Sequence, residues 1–178
     1  MNSTSIILVP NILNMRHYWF FLFLFPLSLK AQDCKLKRTA DPYTKEIQLS
    51  TGFIQLDGAS LAINASPTEI DFFFSMDGKE KCFGDGSAVI VIYDGKKQKA
   101  NYKNAGPVNC DGIFHITFKN MATTPTLLQR LITQKIITLQ FTGNNKTQIN
   151  INLSEDQQQA IMTKGDCLIK EAKTLIKQ

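Results

Sequence analysis

Asp-Gly occurs five times along this chain, at 57–58, 77–78, 85–86, 94–95 and 111–112. Glycine takes positive φ without a Cβ clash and aspartate tolerates it, so each pair favours a tight turn. Turns this frequent leave room only for short segments, and those segments alternate in apolar character. Residues 69–76 set Ile70, Phe72, Phe74 and Met76 on one face, and 88–93 are apolar throughout. Residues 112–118 put Phe114, Ile116 and Phe118 on one side, with His115 and Thr117 on the other. The runs 135–141 and 147–153 flank Gly143-Asn144-Asn145 as a hairpin, and 45–49, 52–56 and 60–65 complete the set. Short strands at this spacing predict a mainly β fold, an antiparallel β-sandwich or a partly open barrel.

Two helices interrupt the strands. Thr124-Pro125 reads as an N-cap followed by proline at the first helical position, with Leu127, Leu128, Leu131 and Ile132 at helical spacing. A C-terminal helix begins after Ser154, whose partner Gln157 completes a capping box, and Glu155 and Asp156 suit the positive end of the helix dipole. Gly165 predicts a kink or a split in its middle. Phe73 points away from Phe72 and Phe74, so its strand is expected to be covered on both sides, by a partner sheet and by a helix.

The first 31 residues have a makeup unlike the rest of the chain. Arg16 precedes a ten-residue run, Tyr18 to Leu27, no Asp or Glu occurs before Asp33, and Ala31 stands before Gln32. Basic start, short apolar core and small-residue exit are the parts of a secretory signal, and the run is half the length of a membrane span. Met15, next to Arg16, makes a better start than Met1. The expected organisation is a signal over 1–31 and one globular domain over 32–178, secreted or periplasmic, with no stable membrane insertion after cleavage. Asp33 directly before Cys34 argues against a lipid-attachment site.

Removing 1–31 leaves 147 residues, with Arg16 and Lys30 lost from the 20 basic residues and none of the 15 acidic ones, a net charge of +3. That is too mild a balance for a nucleic-acid partner. All four cysteines remain, and an even count in an exported chain reads as two disulfides. Cys82 follows the 69–76 strand and Cys110 precedes the 112–118 strand, so antiparallel neighbours would join them. Cys34 would then bind Cys167, fastening both termini to one body. No C-x-x-C occurs and His115 is the only other soft ligand of the mature chain, so neither a metal site nor a cofactor is expected.

Chemistry is sparse. Glu69 and Asp71 are alternate carboxylates, about 7 Å apart on one strand face. Glu69-Ile70-Asp71-Phe72 resembles the start of the acidic motif of the laminarinase-type glycoside hydrolases, which implies a β-sandwich with an acid/base glutamate just beyond the aspartate. Phe73 and Phe74 occupy those positions, and a retaining glycosidase needs both carboxyls. Cys110 and His115 fall about 17 Å apart on opposite strand faces, and His115 reads as an exposed strand histidine. The Asp-Gly turns lack the alternating acids of a calcium loop, carrying lysines instead. A second resemblance, of the stretch Lys135-Ile136-Ile137-Thr138-Leu139-Gln140-Phe141 followed by a strand, a helix and Cys167, is to small exported Bacteroidetes proteins of unknown activity. Asn64, Asn145 and Asn152 begin N-x-Ser/Thr acceptor sites for a glycosylating host.

The remaining candidate is the hairpin over 93–103, where Tyr93, Lys96, Lys97, Lys99 and Tyr102 suit an anionic ligand through charge and stacking. The same lysines also suit the protection of an exposed edge strand. The leading expectation is a non-catalytic extracytoplasmic module for a protein or an anionic envelope component. The alternative is a small secreted hydrolase using Glu69 and Asp71, which a deep groove around them would favour. Exported material should begin near Gln32, as N-terminal sequencing or intact mass will report. A product retaining residues 15–31 and sedimenting with membranes would reverse that expectation.

Overall fold

The computed structural model describes residues 34–176 apart from 79, 80, 96, 97 and 145. The expected signal therefore lies outside the described residues. Among the described residues nine strands form two antiparallel sheets that do not close into a barrel. The first sheet holds β1 (Lys37–Ala40), β2 (Ile47–Leu56), β3 (Ala59–Ala65), β4 (Glu69–Met76) and β7 (Ile113–Lys119), in the order β1-β2-β3-β4-β7. The second holds β5 (Ala88–Tyr93), β6 (Lys99–Lys103), β8 (Ile136–Thr142) and β9 (Gln148–Asn152), in the order β6-β5-β8-β9. The helices are α1 (Thr126–Thr133) and α2 (Glu155–Ala172).

Alternation decides which residues meet between the layers. Phe72 and Phe74 of β4 lie opposite Ile116 and Phe114 of β7, and this face turns inward. Phe74, Phe114, Phe141 of β8 and Phe83 of the β4–β5 loop pack edge-to-face, with centroids 5.1–6.5 Å apart. Such pairs add about 0.5–1.5 kcal/mol each beyond area burial. Cys82 pairs with Cys110 next to Phe83, joining the β4–β5 and β6–β7 loops. Cys34 pairs with Cys167 of α2, their Cα atoms 6.0 Å apart across 133 residues. In the chain-entropy model a closure that long stabilises by about 5 kcal/mol.

The runs 45–49 and 52–56 are one strand, not two. From Ser50↔Asn64 to Phe53↔Ala62 the register gains one residue on β2, a bulge with Gly52 at φ +66°. Thr51 turns inward there and its hydroxyl oxygen accepts the Ile63 N–H. Strand β1 escaped the sequence reading because all four residues are exposed and none alternates.

Two expectations about helices are corrected. Helix α2 does not cover the outer face of the first sheet. A Cβ on Gly165 would meet Ile132 of α1 and Ile63 of β3, and Ile63 shares the inward face with Phe72. Helix, second sheet and α1 therefore lie on the same side, and Phe73 is left half-exposed on the other. Nor does α2 split: it runs unbroken from Glu155 to Ala172 behind the capping box of Ser154 and Gln157. Glycine serves packing at position 165, because it lets α1 approach closely. Helix α1 starts one residue later than expected, with Pro125 as its cap. Among the described residues no helix is long and apolar enough to cross a membrane.

The Cβ of alanine at 165 would stand 2.7 Å from Ile132 Cγ2. Gly165→Ala should therefore destabilise by about 1–3 kcal/mol, although alanine gains about 1 kcal/mol of helix propensity. Urea titration of the two proteins measures the sign.

Candidate functional site

The two sheets present outer faces of different chemistry. On the second sheet, outward positions form rows across the strands: Lys99–Ile92–Thr138–Asn152, Asn101–Ile90–Gln140–Asn150 and Lys103–Ala88–Thr142–Gln148. The amides on β9 and the lysines on β6 are exposed, and the two central strands are half-exposed. No Asp or Glu occurs in any of these four strands. Rows about 6.8 Å apart along the strands and steps of about 4.8 Å between them make a lattice of amide and hydroxyl groups, with ammonium groups along one edge.

Of the hairpin residues singled out from sequence, Lys99 belongs to this face, while Lys96 and Lys97 lie outside the described residues. Tyr93 and Tyr102 do not join it. The two residues are only 3% and 5% exposed, their hydroxyls are 3.0 Å apart, and Tyr102 Oη donates to the Leu127 carbonyl. The Arg130 guanidinium sits 4.8 Å from the centre of the Tyr93 ring. Burial first, and then the bond with Tyr102, hold the Tyr93 phenol far above its ordinary range. Burial likewise raises Tyr102, against the lowering influence of Tyr93. The tyrosines are core groups tying α1 to the second sheet, because strand alternation turns them inward with Val89 and Val91. A stacking platform of tyrosines and lysines on one surface is therefore not formed.

The first sheet carries Asp71 and Glu69 outward. Asp71 accepts from His115 Nδ1 at 3.0 and 3.1 Å to its two oxygens, across paired strands. His115 is not the exposed histidine expected from alternation: its ring is half-buried, edge-on to Phe73 at 5.2 Å and covered by Gly106. Its backbone N–H donates to Asn104 Oδ1 and its carbonyl accepts from Ala105. The strap 104–106 thus binds the free edge of β7, and Asp71 holds the ring beneath it. Sequence could not pair the two, since they stand 44 residues apart.

Beside this pair lies a depression of about 310 Å³ lined by Thr39, Gln48, Ser50, Asn64, Ser66, Glu69 and Asp71. It is shallow, and Glu69 is exposed at its rim. With Asp71 committed to His115, the two carboxyls are not arranged as a free acid and a free base in a deep groove. Among the described residues no group of three His, Cys, Asp or Glu side chains gathers to hold a metal ion.

Comparison of the chain with protein-family models, with curated proteins and with solved structures finds no match. The chemistry of the two faces therefore carries the functional reading.

Burial raises the Asp71 carboxyl above 3.8, outweighing the lowering by His115. In the window from 3.8 up to that raised value the folded state binds more protons than the unfolded one, so this group's contribution falls as pH rises. Asp71→Asn keeps an acceptor for His115 and removes the titration. Its melting temperature relative to the parent should therefore improve as pH climbs from about 3.8, as a melting series across pH will show.

Proposed function

We propose that this chain is an exported, non-catalytic binding module that holds an anionic envelope glycan against the outer face of its four-stranded sheet. The observation that carries this reading is the acid-free set β5, β6, β8 and β9, with Lys99 and Lys103 along one edge. Sugar hydroxyls both donate and accept, and so do Thr138, Gln140, Thr142, Gln148, Asn150 and Asn152. Ile90 and Ile92 supply an apolar floor for C–H groups between the polar columns. Anionic substituents would meet ammonium groups with no carboxylate in these strands to oppose them.

Export is supported by the leader composition of residues 15–31 and by the two disulfides, which persist in oxidising compartments. The small hydrolase using Glu69 and Asp71 finds less support, since Asp71 is engaged by His115. A protein partner finds less as well. The face lacks the exposed aromatic anchors that usually dominate such interfaces.

Immobilised polygalacturonate tests the reading. The mature protein should be retained and should elute as salt rises, because surface ion pairs are screened. Exposed pairs typically contribute about 0.2–1 kcal/mol each, so Lys99→Ser with Lys103→Ser should weaken binding about two- to thirtyfold. Neither substitution should shift stability by more than about 0.5 kcal/mol. Retention insensitive to salt, or undiminished in the double variant, would refute the face. Binding to anionic vesicles but not to polygalacturonate would move the partner to the membrane surface.

A further inference from the structure

The first sheet's outer face carries a feature that neither packing nor solubility explains. Phe53, Ala62, Phe73 and His115 lie in one lateral row across β2, β3, β4 and β7. Phe53 is 59% exposed, and its ring lies 6.4 Å from that of Phe73. The β2 bulge is what aims it outward. Without the extra residue between Ser50 and Phe53, strict alternation from Ser50 would place Gly52 and Ile54 outside and Phe53 in the core. Bulges that re-aim a side chain are frequent beside binding sites. Here the device exposes an aromatic ring that a simpler strand would bury.

The next row of the same face is polar: Lys37, Ser50, Asn64, Asp71 and Thr117. Ser50, Asn64 and Asp71 line the depression already described, together with Gln48 and Glu69. The side chains of Gln48, Asn64 and Glu69 make no hydrogen bond within the protein among the described residues. The Asp71 carboxylate, by contrast, is fixed in place by His115. The depression therefore offers two amides with open donors and acceptors, one free carboxylate and one oriented carboxylate, and no lysine or arginine lines it. Its volume of about 310 Å³ is at the small end of ligand pockets, near the lower bound of about 300 Å³.

We propose that this depression and the adjoining aromatic row form a second binding site, for an uncharged sugar unit. The ring face of the sugar would lie on Phe53 and Phe73, and its hydroxyls would reach Asn64, Gln48 and the two carboxylates. Gln48 and Asn64 can donate to and accept from sugar hydroxyls and the two carboxylates can accept from them, while Lys37 and Lys119, opposite Ser50 and Glu69 in the sheet register, stand outside the lining. The site lies on the first sheet, away from the face proposed for the anionic ligand. It stands on separate residues and does not depend on that reading.

The test is a titration of the mature protein with cellohexaose, maltohexaose and N-acetylchitohexaose, followed by backbone amide shifts and calorimetry. At least one hexaose should shift the amides of Phe53, Asn64 and Asp71. Phe53→Ala and Asn64→Ala should each weaken that binding about tenfold, equivalent to about 1.4 kcal/mol. Melting curves confirm that both variants fold, and Phe53→Tyr, which keeps a ring, should bind like the parent. Lys99→Ser with Lys103→Ser should leave the neutral ligand unaffected, which separates the two faces. No shift at these amides with any of the three sugars at about 10 mM, a concentration that would reveal even millimolar affinity, overturns the proposal. So does binding that survives both Phe53→Ala and Asn64→Ala.

Discussion

Phe74, Phe83, Phe114 and Phe141 meet where the two sheets and the β4–β5 loop converge, and the architecture depends on that contact. Each ring comes from a different segment, and Phe141 of the second sheet meets both Phe74 and Phe114 of the first. Edge-to-face geometry gives the cluster direction as well as apolar area. Around it, Tyr102 and Phe118 extend the aromatic contact toward α1, with centroids 6.2 Å apart. The Cys82–Cys110 bond closes the same end by holding the loop that delivers Phe83. Core order and covalent staple thus act on one locus.

With the interior settled, the outer faces are free to differ. Strand β7 would be an open edge, and unpaired edge groups are templates for pairing with other chains. The strap 104–106 occupies that edge through the backbone of His115, while Asp71 and Phe73 hold the imidazole from the sheet side. A single histidine therefore serves edge protection through its main chain and sheet-face order through its ring. The price is a half-buried carboxylate, raised by desolvation. Asn120 plays a comparable part at the other end, donating to the carbonyls of Ser66 and Ala172 and so joining the β3–β4 turn to the end of α2.

Much of the fold was legible because its strands obey simple rules. The Asp-Gly turns and the alternation around Phe72, Phe74, Phe114 and Ile116 place β4 and β7 within a residue or two, and β4 pairs with β7 along its whole length. The capping box of α2 is equally local. Other features depend on tertiary context that no window of sequence contains. The β1 strand has no apolar face of its own and exists because β2 pairs with it. Gly165 looks like a helix flaw until Ile132 is seen against it. Tyr93 and Tyr102 look like surface aromatics beside lysines, yet alternation turns them inward, where each hydroxyl finds the other. The union of Asp71 with His115, and the lattice of polar rows on the second sheet, both arise from long-range register.

The bond between Cys34 and Cys167 also has a mechanical meaning. It lies at the first described residue and on the last long helix, so it encloses every strand of both sheets. A pull applied upstream of Cys34 and downstream of Cys167 passes through the sulfur bridge and the flanking chain. The strand ladders between them carry none of that load. A domain wired this way can be stretched at its ends without its two sheets being peeled apart.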